Sequence, residues 1–201
     1  MFDAKLRTII DPPLNAAALG IARSGISANA LTLFGALVGL AAAVAVSQEH
    51  FAVALALIML NRILDGLDGA VARINSASEW GGYLDTLADY IFYISIPVAF
   101  GWANLPNQLP ALLLVASFTL TAVSFLAFAA IAASKGQGDD RAHGSKAFIY
   151  STGLMEGGET IAFFILFCLC PGYFPVLALL FAGLCVLTVA QRIMLAARAF
   201  R

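Results

Sequence analysis

Residues 65–89 read DGLDGAVARINSASEWGGYLDTLAD, and this stretch governs the reading of the whole chain. It places four aspartates inside one of the more apolar parts of the sequence. Asp65 and Asp68 stand three residues apart, Asp85 and Asp89 four apart. Both spacings bring the paired carboxylates to one face of a helix. A charged carboxylate at membrane depth costs several kcal/mol unless it is paired or holds a cation. Four converging carboxylates also repel one another, and a bound cation relieves that repulsion. Hard, all-oxygen ligands suit Mg²⁺ or Mn²⁺ and suit Zn²⁺ or copper poorly. Asp65, Asp68, Asp85 and Asp89 are therefore the candidate metal ligands.

The rest of the chain supplies the membrane. Of its 201 residues 61% are hydrophobic and only 11% charged, and the mean hydropathy is +0.90. Those values exclude an ordinary soluble domain and predict an integral membrane protein. With a net charge of −1 there is no basic excess to suggest a nucleic-acid partner. Cys168, Cys170 and Cys185 all sit in apolar runs. Cys168 and Cys170 point roughly 200° apart on a helix, so all three read as apolar residues with no disulfide. The N-terminus carries charges together with Pro12 and Pro13 before any long apolar run, unlike a cleaved signal peptide.

The pattern predicts an all-α protein: six transmembrane helices over residues 28–201, preceded by an amphipathic juxtamembrane segment at 1–27. In that segment Pro13 opens a short helix to Arg23, with Leu14, Ala18 and Ile21 on one side. Ser27 is the expected N-cap of the first span, Ala28 to Val46, where Gly35 and Gly39 form a GxxxG. The second span runs from Phe51 through Asp65 and continues as helix to Ile74. After the polar turn Asn75–Glu79, the third carries Asp85 and Asp89 in its first turns and ends near Trp102. A breaker-rich loop at 104–110 leads to the fourth, about Ala111 to Ala133. The fifth runs from Ala147 to Cys170, and the sixth follows the turn Pro171–Pro175 and extends to about Arg192. Every Lys and Arg then falls on one side, in the N-terminal segment, the region joining spans two and three, the loop 135–146 or the C-terminal end. The positive-inside rule places both termini and the aspartates at the cytoplasmic face.

Eight positions in order, Asp65, Asp68, Gly69, Ala72, Arg73, Gly81, Asp85 and Asp89, resemble the signature of the CDP-alcohol phosphotransferases (CDP-alcohol phosphatidyltransferases). One feature departs from it: seven residues separate Arg73 from Gly81, one fewer than the commoner spacing. Gly82 restores that count but changes the interval to Asp85, so either glycine is a candidate to face the nucleotide. The stretch around Asp89, together with Glu156-Gly-Gly-Glu159-Thr160, is similar to a bacterial branch of the family.

The resemblance implies a homodimeric enzyme of the bacterial inner membrane. It would move a phosphatidyl group from CDP-diacylglycerol to an alcohol or phospho-alcohol acceptor, with release of CMP. The four aspartates would bind two divalent cations, Mg²⁺ or Mn²⁺, and Asp89 would also act as base. The CDP moiety would lie against Asp68, Gly69, Ala72, Arg73 and Gly81. Asn61 is a further candidate there, or else an amide bonding a neighbouring helix. The residues agree with this chemistry. Glycine removes side chains where a nucleotide approaches the backbone, and the Arg73 fork suits phosphate oxygens. Arg62, one turn before Asp65, reads as a residue that tunes or neutralises the cluster. Arg141, His143 and Lys146 are candidates to grip a phosphate on the acceptor, and Glu156 and Glu159 to shape its pocket. Two other readings stay open. One is transfer of a phospho-alcohol from a CDP-alcohol to a lipid hydroxyl. The other is a divalent-cation transporter using the four aspartates, although a transporter has no need of Gly69, Ala72 and Arg73 at fixed offsets.

Overall fold

The computed structural model describes residues 2–134 and 157–200. Among them are seven α-helices, two short 3₁₀ turns and no strand: α1 Phe2–Arg23, α2 Ala28–Ser47, α3 Phe51–Asn75, α4 Glu79–Ala103, α5 Gln108–Ser134, α6 Gly157–Leu169 and α7 Phe174–Ala199. The 3₁₀ turns, Leu105–Asn107 and Pro171–Tyr173, lead into α5 and α7.

Local chemistry sets most of the boundaries. Ser27 caps α2, its hydroxyl accepting from the Ala30 N–H at 3.2 Å, and Ser78 caps α4 by accepting from Gly81 N–H at 3.0 Å. The reversal between α2 and α3 passes through Glu49 and the turn between α3 and α4 through Ser76, both at positive φ. Two boundaries differ from expectation. The first helix starts at Phe2 and runs through Pro12 and Pro13. Proline's fixed φ lies in the helical range, so the pair can be carried inside α1 at the loss of two N–H donors. In the 104–110 stretch, the breakers hold only one 3₁₀ turn. Asn107 Nδ2 donates to Phe100 O at 3.1 Å, and α5 is already under way at Gln108.

Among the described residues, four segments are long and apolar enough to cross a membrane: Ala28–Ser47, Glu79–Ala103, Leu105–Ser134 and Pro171–Ala199. The protein is thus an integral membrane protein of helical class. Helix α3 is as long as α4, at 25 residues, but Arg62, Asp65, Asp68 and Arg73 make its second half too polar to count with the others.

Helix α2 packs on both α3 and α4, α1 and α6 pack on α3, and α5 packs on α4 and α7. Lipid is as apolar as leucine, so membrane helices associate through close packing more than through the hydrophobic effect. Two features provide that packing here. One is a cluster of buried phenylalanines, among them Phe92, Phe100, Phe164, Phe167, Phe174 and Phe181; Phe100 stacks on Phe174 with ring centroids 4.5 Å apart. The other is the glycine pair of α2. A Cβ on Gly35 would lie 3.6 Å from Leu64 Cβ, and one on Gly39 only 2.9 Å from Phe92 Cδ2. Glycine at these positions lets α2 approach both α3 and α4.

Candidate functional site

The aspartates meet between the C-terminal half of α3 and the N-terminal half of α4, both of which pack on α2. Asp65, Asp68 and Asp85 each offer a carboxylate oxygen, and the three oxygens lie within 4.8 Å of one another. Such a separation is too close for three unscreened anions and suits a shared cation. Asp68 is the buried member, and the Thr32 hydroxyl of α2 donates to its Oδ2 at 2.7 Å.

Asp89 stands outside that triad and pairs with Arg62. Arg62 Nη2 donates to Asp89 Oδ1 at 3.1 Å, and Nη1 lies 3.6 Å from Asp65 Oδ2. The guanidinium also bonds Asn61 Oδ1 from Nε at 2.8 Å and from Nη2 at 2.6 Å. It lies over the Phe92 ring, 4.6 Å from the centroid. Asn61, itself buried, turns its Nδ2 to Gly35 O on α2 at 2.8 Å. Of its two expected uses, the amide takes the helix-bonding one.

Beside the triad opens a cleft of about 300 Å³, walled by the start of α2, the end of α3, the turn 75–78 and the start of α4. Asp68 and Asp85 line it together with Gly69, Ala72, Gly81 and Gly82. A Cβ at Gly81 would come within 3.1 Å of both Asn29 Oδ1 and Ser78 Oγ, whereas at Gly82 it would meet nothing within 4 Å. Gly81 is therefore the glycine the local packing demands, and Gly82 keeps its face of the cleft open. Arg73 is exposed and folds back along α3, its Nη1 3.6 Å from where a Gly69 Cβ would stand. Arg62, not Arg73, is the counter-ion of Asp65.

Glu159 is half-buried in the first turn of α6, and Gly157, which opens that helix, faces the Tyr93 hydroxyl, 3.6 Å from its would-be Cβ. Arg141, His143, Lys146 and Glu156 lie outside the described residues. Sequence reasoning missed two polar side chains. Thr32 carried one signal, being a hydroxyl in an otherwise apolar run. Arg192, read only as the end of a span, is buried, and it donates from Nη1 to Thr121 O at 2.9 Å and to Ser124 Oγ at 3.3 Å, joining α7 to α5.

A helical membrane protein with a carboxylate triad beside an open cleft is, by class, one that could hold a cation next to a bound ligand. Residues 26–198 match the family model described as CDP-alcohol phosphatidyltransferase, so the chain belongs to that family and is a transferase of substituted phosphate groups. Membership removes the transporter reading. The chain is 40% identical over 194 residues, 96% of its length and 94% of the relative's, to the inner membrane protein YnjF of Escherichia coli. A shorter match, 33% over 94 residues, covers 46% of this chain and 50% of the archaetidylinositol phosphate synthase of Pyrococcus horikoshii. Among solved structures, the phosphatidylinositol phosphate synthase PgsA1 of Mycobacterium tuberculosis with manganese and citrate superimposes with a TM-score of 0.70, at 19% identity, covering 90% of this chain and 87% of that one. The same protein with CDP-DAG bound gives 0.64 at 20% identity, covering 90% and 92%. At those identities the likeness is one of fold.

Proposed function

We propose that this protein transfers a phosphatidyl group from CDP-diacylglycerol to the hydroxyl of an alcohol or phospho-alcohol, releasing CMP. The observation that carries the proposal is a carboxylate triad of which two members, Asp68 and Asp85, line a cleft of about 300 Å³ together with Gly69, Ala72, Gly81 and Gly82. A phosphatidylinositol phosphate synthase of the same fold has been crystallised with CDP-DAG bound, which supports CDP-diacylglycerol as the donor.

In this reading Asp65, Asp68 and Asp85 hold a divalent cation, Mg²⁺ or Mn²⁺. When bound, such a cation neutralises charge developing on the pyrophosphate oxygens. The CDP moiety lies in the cleft against Gly69, Ala72 and Gly81, and the exposed guanidinium of Arg73 reaches its phosphate oxygens. Asp89 Oδ takes the proton from the acceptor hydroxyl as that oxygen attacks the phosphorus bearing the lipid; the bond to the CMP oxygen breaks and CMP leaves with the electron pair. Glu159 is assigned to acceptor recognition, and Arg141, Lys146 and Glu156, which lie outside the described residues, are assigned to it from the sequence alone.

Six crossings follow if α3 spans the membrane together with α6 and the four long apolar segments. Both termini, all the basic ends and the cleft are then cytoplasmic, and α1 lies on that surface. There the cleft is open to water while its floor stays at the lipid boundary, as a soluble acceptor and a lipid donor both require. The test is CMP release from CDP-diacylglycerol by purified protein over a panel comprising glycerol 3-phosphate, inositol phosphate, serine and phosphatidylglycerol. No CMP release with any hydroxyl acceptor, while a CDP-alcohol is turned over onto diacylglycerol, would replace this reading with phospho-alcohol transfer.

A further inference from the structure

The aspartate cluster already contains one cation, Arg62. Its guanidinium spans two carboxylates, with Nη2 3.1 Å from Asp89 Oδ1 and Nη1 3.6 Å from Asp65 Oδ2. It does so from a fixed position. Nε and Nη2 both donate to Asn61 Oδ1, Asn61 is anchored to the backbone of α2 at Gly35, and the Phe92 ring lies beneath at 4.6 Å. The Arg62 side chain is only 17% exposed. A planar fork held by a neighbouring amide, two carboxylates and a ring face is a built part of the site, unlike a surface arginine.

Its place matters because of what else would use it. Asp65 belongs to the triad and also to the Arg62 pair. A second divalent cation shared by Asp65 and Asp89 would need oxygens from both at about 2.0–2.1 Å if it were Mg²⁺. The gap between those two carboxylates is the one the guanidinium bridges. We infer that Arg62 takes the place of a second divalent cation: the site binds one metal ion, at Asp65, Asp68 and Asp85, and Arg62 positions Asp89 outside that ion's coordination sphere. This departs from the two-ion site that the motif implies. Its consequence is a division of labour, in which three carboxylates serve the metal while the fourth keeps an oxygen for the acceptor proton. The inference rests on the divalent-cation part of the proposed function, and its test separates the two.

The test is a Mn²⁺ titration of purified, detergent-solubilised protein, with stoichiometry from calorimetry and the spin state from electron paramagnetic resonance. Two ions sharing a carboxylate lie about 3.5–4 Å apart and couple magnetically. The wild type should bind one Mn²⁺ per chain and show an uncoupled single-ion spectrum. Arg62→Met keeps an unbranched stem against Phe92 and removes the charge; it should bind two ions with a coupled spectrum, while Arg62→Lys should stay at one. Two coupled ions in the wild type overturn the inference and leave the cation reading standing. A folded Arg62→Met that binds a single ion overturns it as well, because no second place was then being held. Should Arg62→Met fail to fold, the wild-type count and spectrum decide alone. No Mn²⁺ bound by the wild type would refute the cation reading itself, and this inference with it.

Discussion

Replacing each aspartate by asparagine, one at a time, separates the role proposed for Asp89 from that of its neighbours. Asparagine keeps the shape and one oxygen but has no negative charge and cannot take a proton. At Asp89 the contact at stake is the bond from Arg62 at 3.1 Å. The amide oxygen still accepts that bond, so only its charge assistance is lost, a cost on the order of 1 kcal/mol. The pair is partly open to solvent, with side chains 17% and 29% exposed, which reduces the loss further. Asp89→Asn should therefore fold, bind cation and bind nucleotide nearly as the wild type does. Its turnover should nevertheless fall by about 10²–10⁴, the usual contribution of a positioned base.

Asp65→Asn should fail differently. Asp65 shares the triad, whose oxygens lie within 4.8 Å of one another, and a unit charge at about 4 Å interacts with another by roughly 4 kcal/mol at an effective dielectric of 20. Against a dication even a fraction of this is enough to lower cation affinity by about a hundredfold or more, and nucleotide affinity should fall with it. The measurements are nucleotide affinity by calorimetry in saturating Mn²⁺ and turnover by CMP release, for all four variants. Undiminished turnover in Asp89→Asn would refute the reasoning, as would a loss of nucleotide binding as severe as in Asp65→Asn. The base would then be water or the acceptor's own phosphate.

Three further outcomes are expected. Activity should vanish on exhaustive chelation and return with Mg²⁺ or Mn²⁺; turnover in protein shown metal-free by elemental analysis would rule out a cation in the reaction. Arg73→Lys should lose about 1.5–3 kcal/mol of transition-state binding, roughly ten- to a hundredfold in kcat/KM, because a point charge cannot replace a two-pronged guanidinium contact; wild-type kinetics would reduce Arg73 to a diffuse counter-ion. Gly39→Ala should destabilise the protein by about 1–3 kcal/mol, since its Cβ would lie 2.9 Å from Phe92 Cδ2. Gly82→Ala, with nothing within 4 Å, is the control, and equal melting temperatures for the two would contradict the close packing of α2.

What was legible in the sequence is what depends on spacing along one helix. Asp65 and Asp68, or Asp85 and Asp89, must share a face wherever the helices go, and the serine cap at Ser27 acts on the turn that follows it. The pairing of Arg62 with Asp89 was not legible, because it depends on how α3 and α4 are placed against α2. Arg62 reads naturally as a neighbour of Asp65 one turn away, and that contact exists at 3.6 Å; its shorter contact, to Asp89, crosses between helices. Asn61 was ambiguous for the same reason, since only the approach of α2 shows that its amide meets the Gly35 carbonyl. The start of the first helix reads as Pro13 for a local reason, since proline is favoured at the first helical position, whereas α1 begins at Phe2 and carries both prolines inside it.

The packing of α2 and the chemistry of the cluster are one arrangement seen from two sides. Gly35 and Gly39 carry no side chain facing α3 and α4, which lets α2 come close enough for three contacts at once. Thr32 reaches Asp68 in the triad at 2.7 Å. The Gly35 carbonyl receives Asn61 at 2.8 Å, and Gly39 leaves room for the Phe92 ring. Asn61 and Phe92 are in turn the groups that fix the Arg62 guanidinium from its edge and from its face. A side chain at Gly39 would press on both, standing 2.9 Å from Phe92 Cδ2 and 3.2 Å from Asn61 Nδ2. The displacement would pass to Arg62 on α3 and so to Asp89 on α4. A GxxxG motif is common in membrane helices and says little about function by itself. Here the same two glycines allow the helix approach that sets where the fourth aspartate stands.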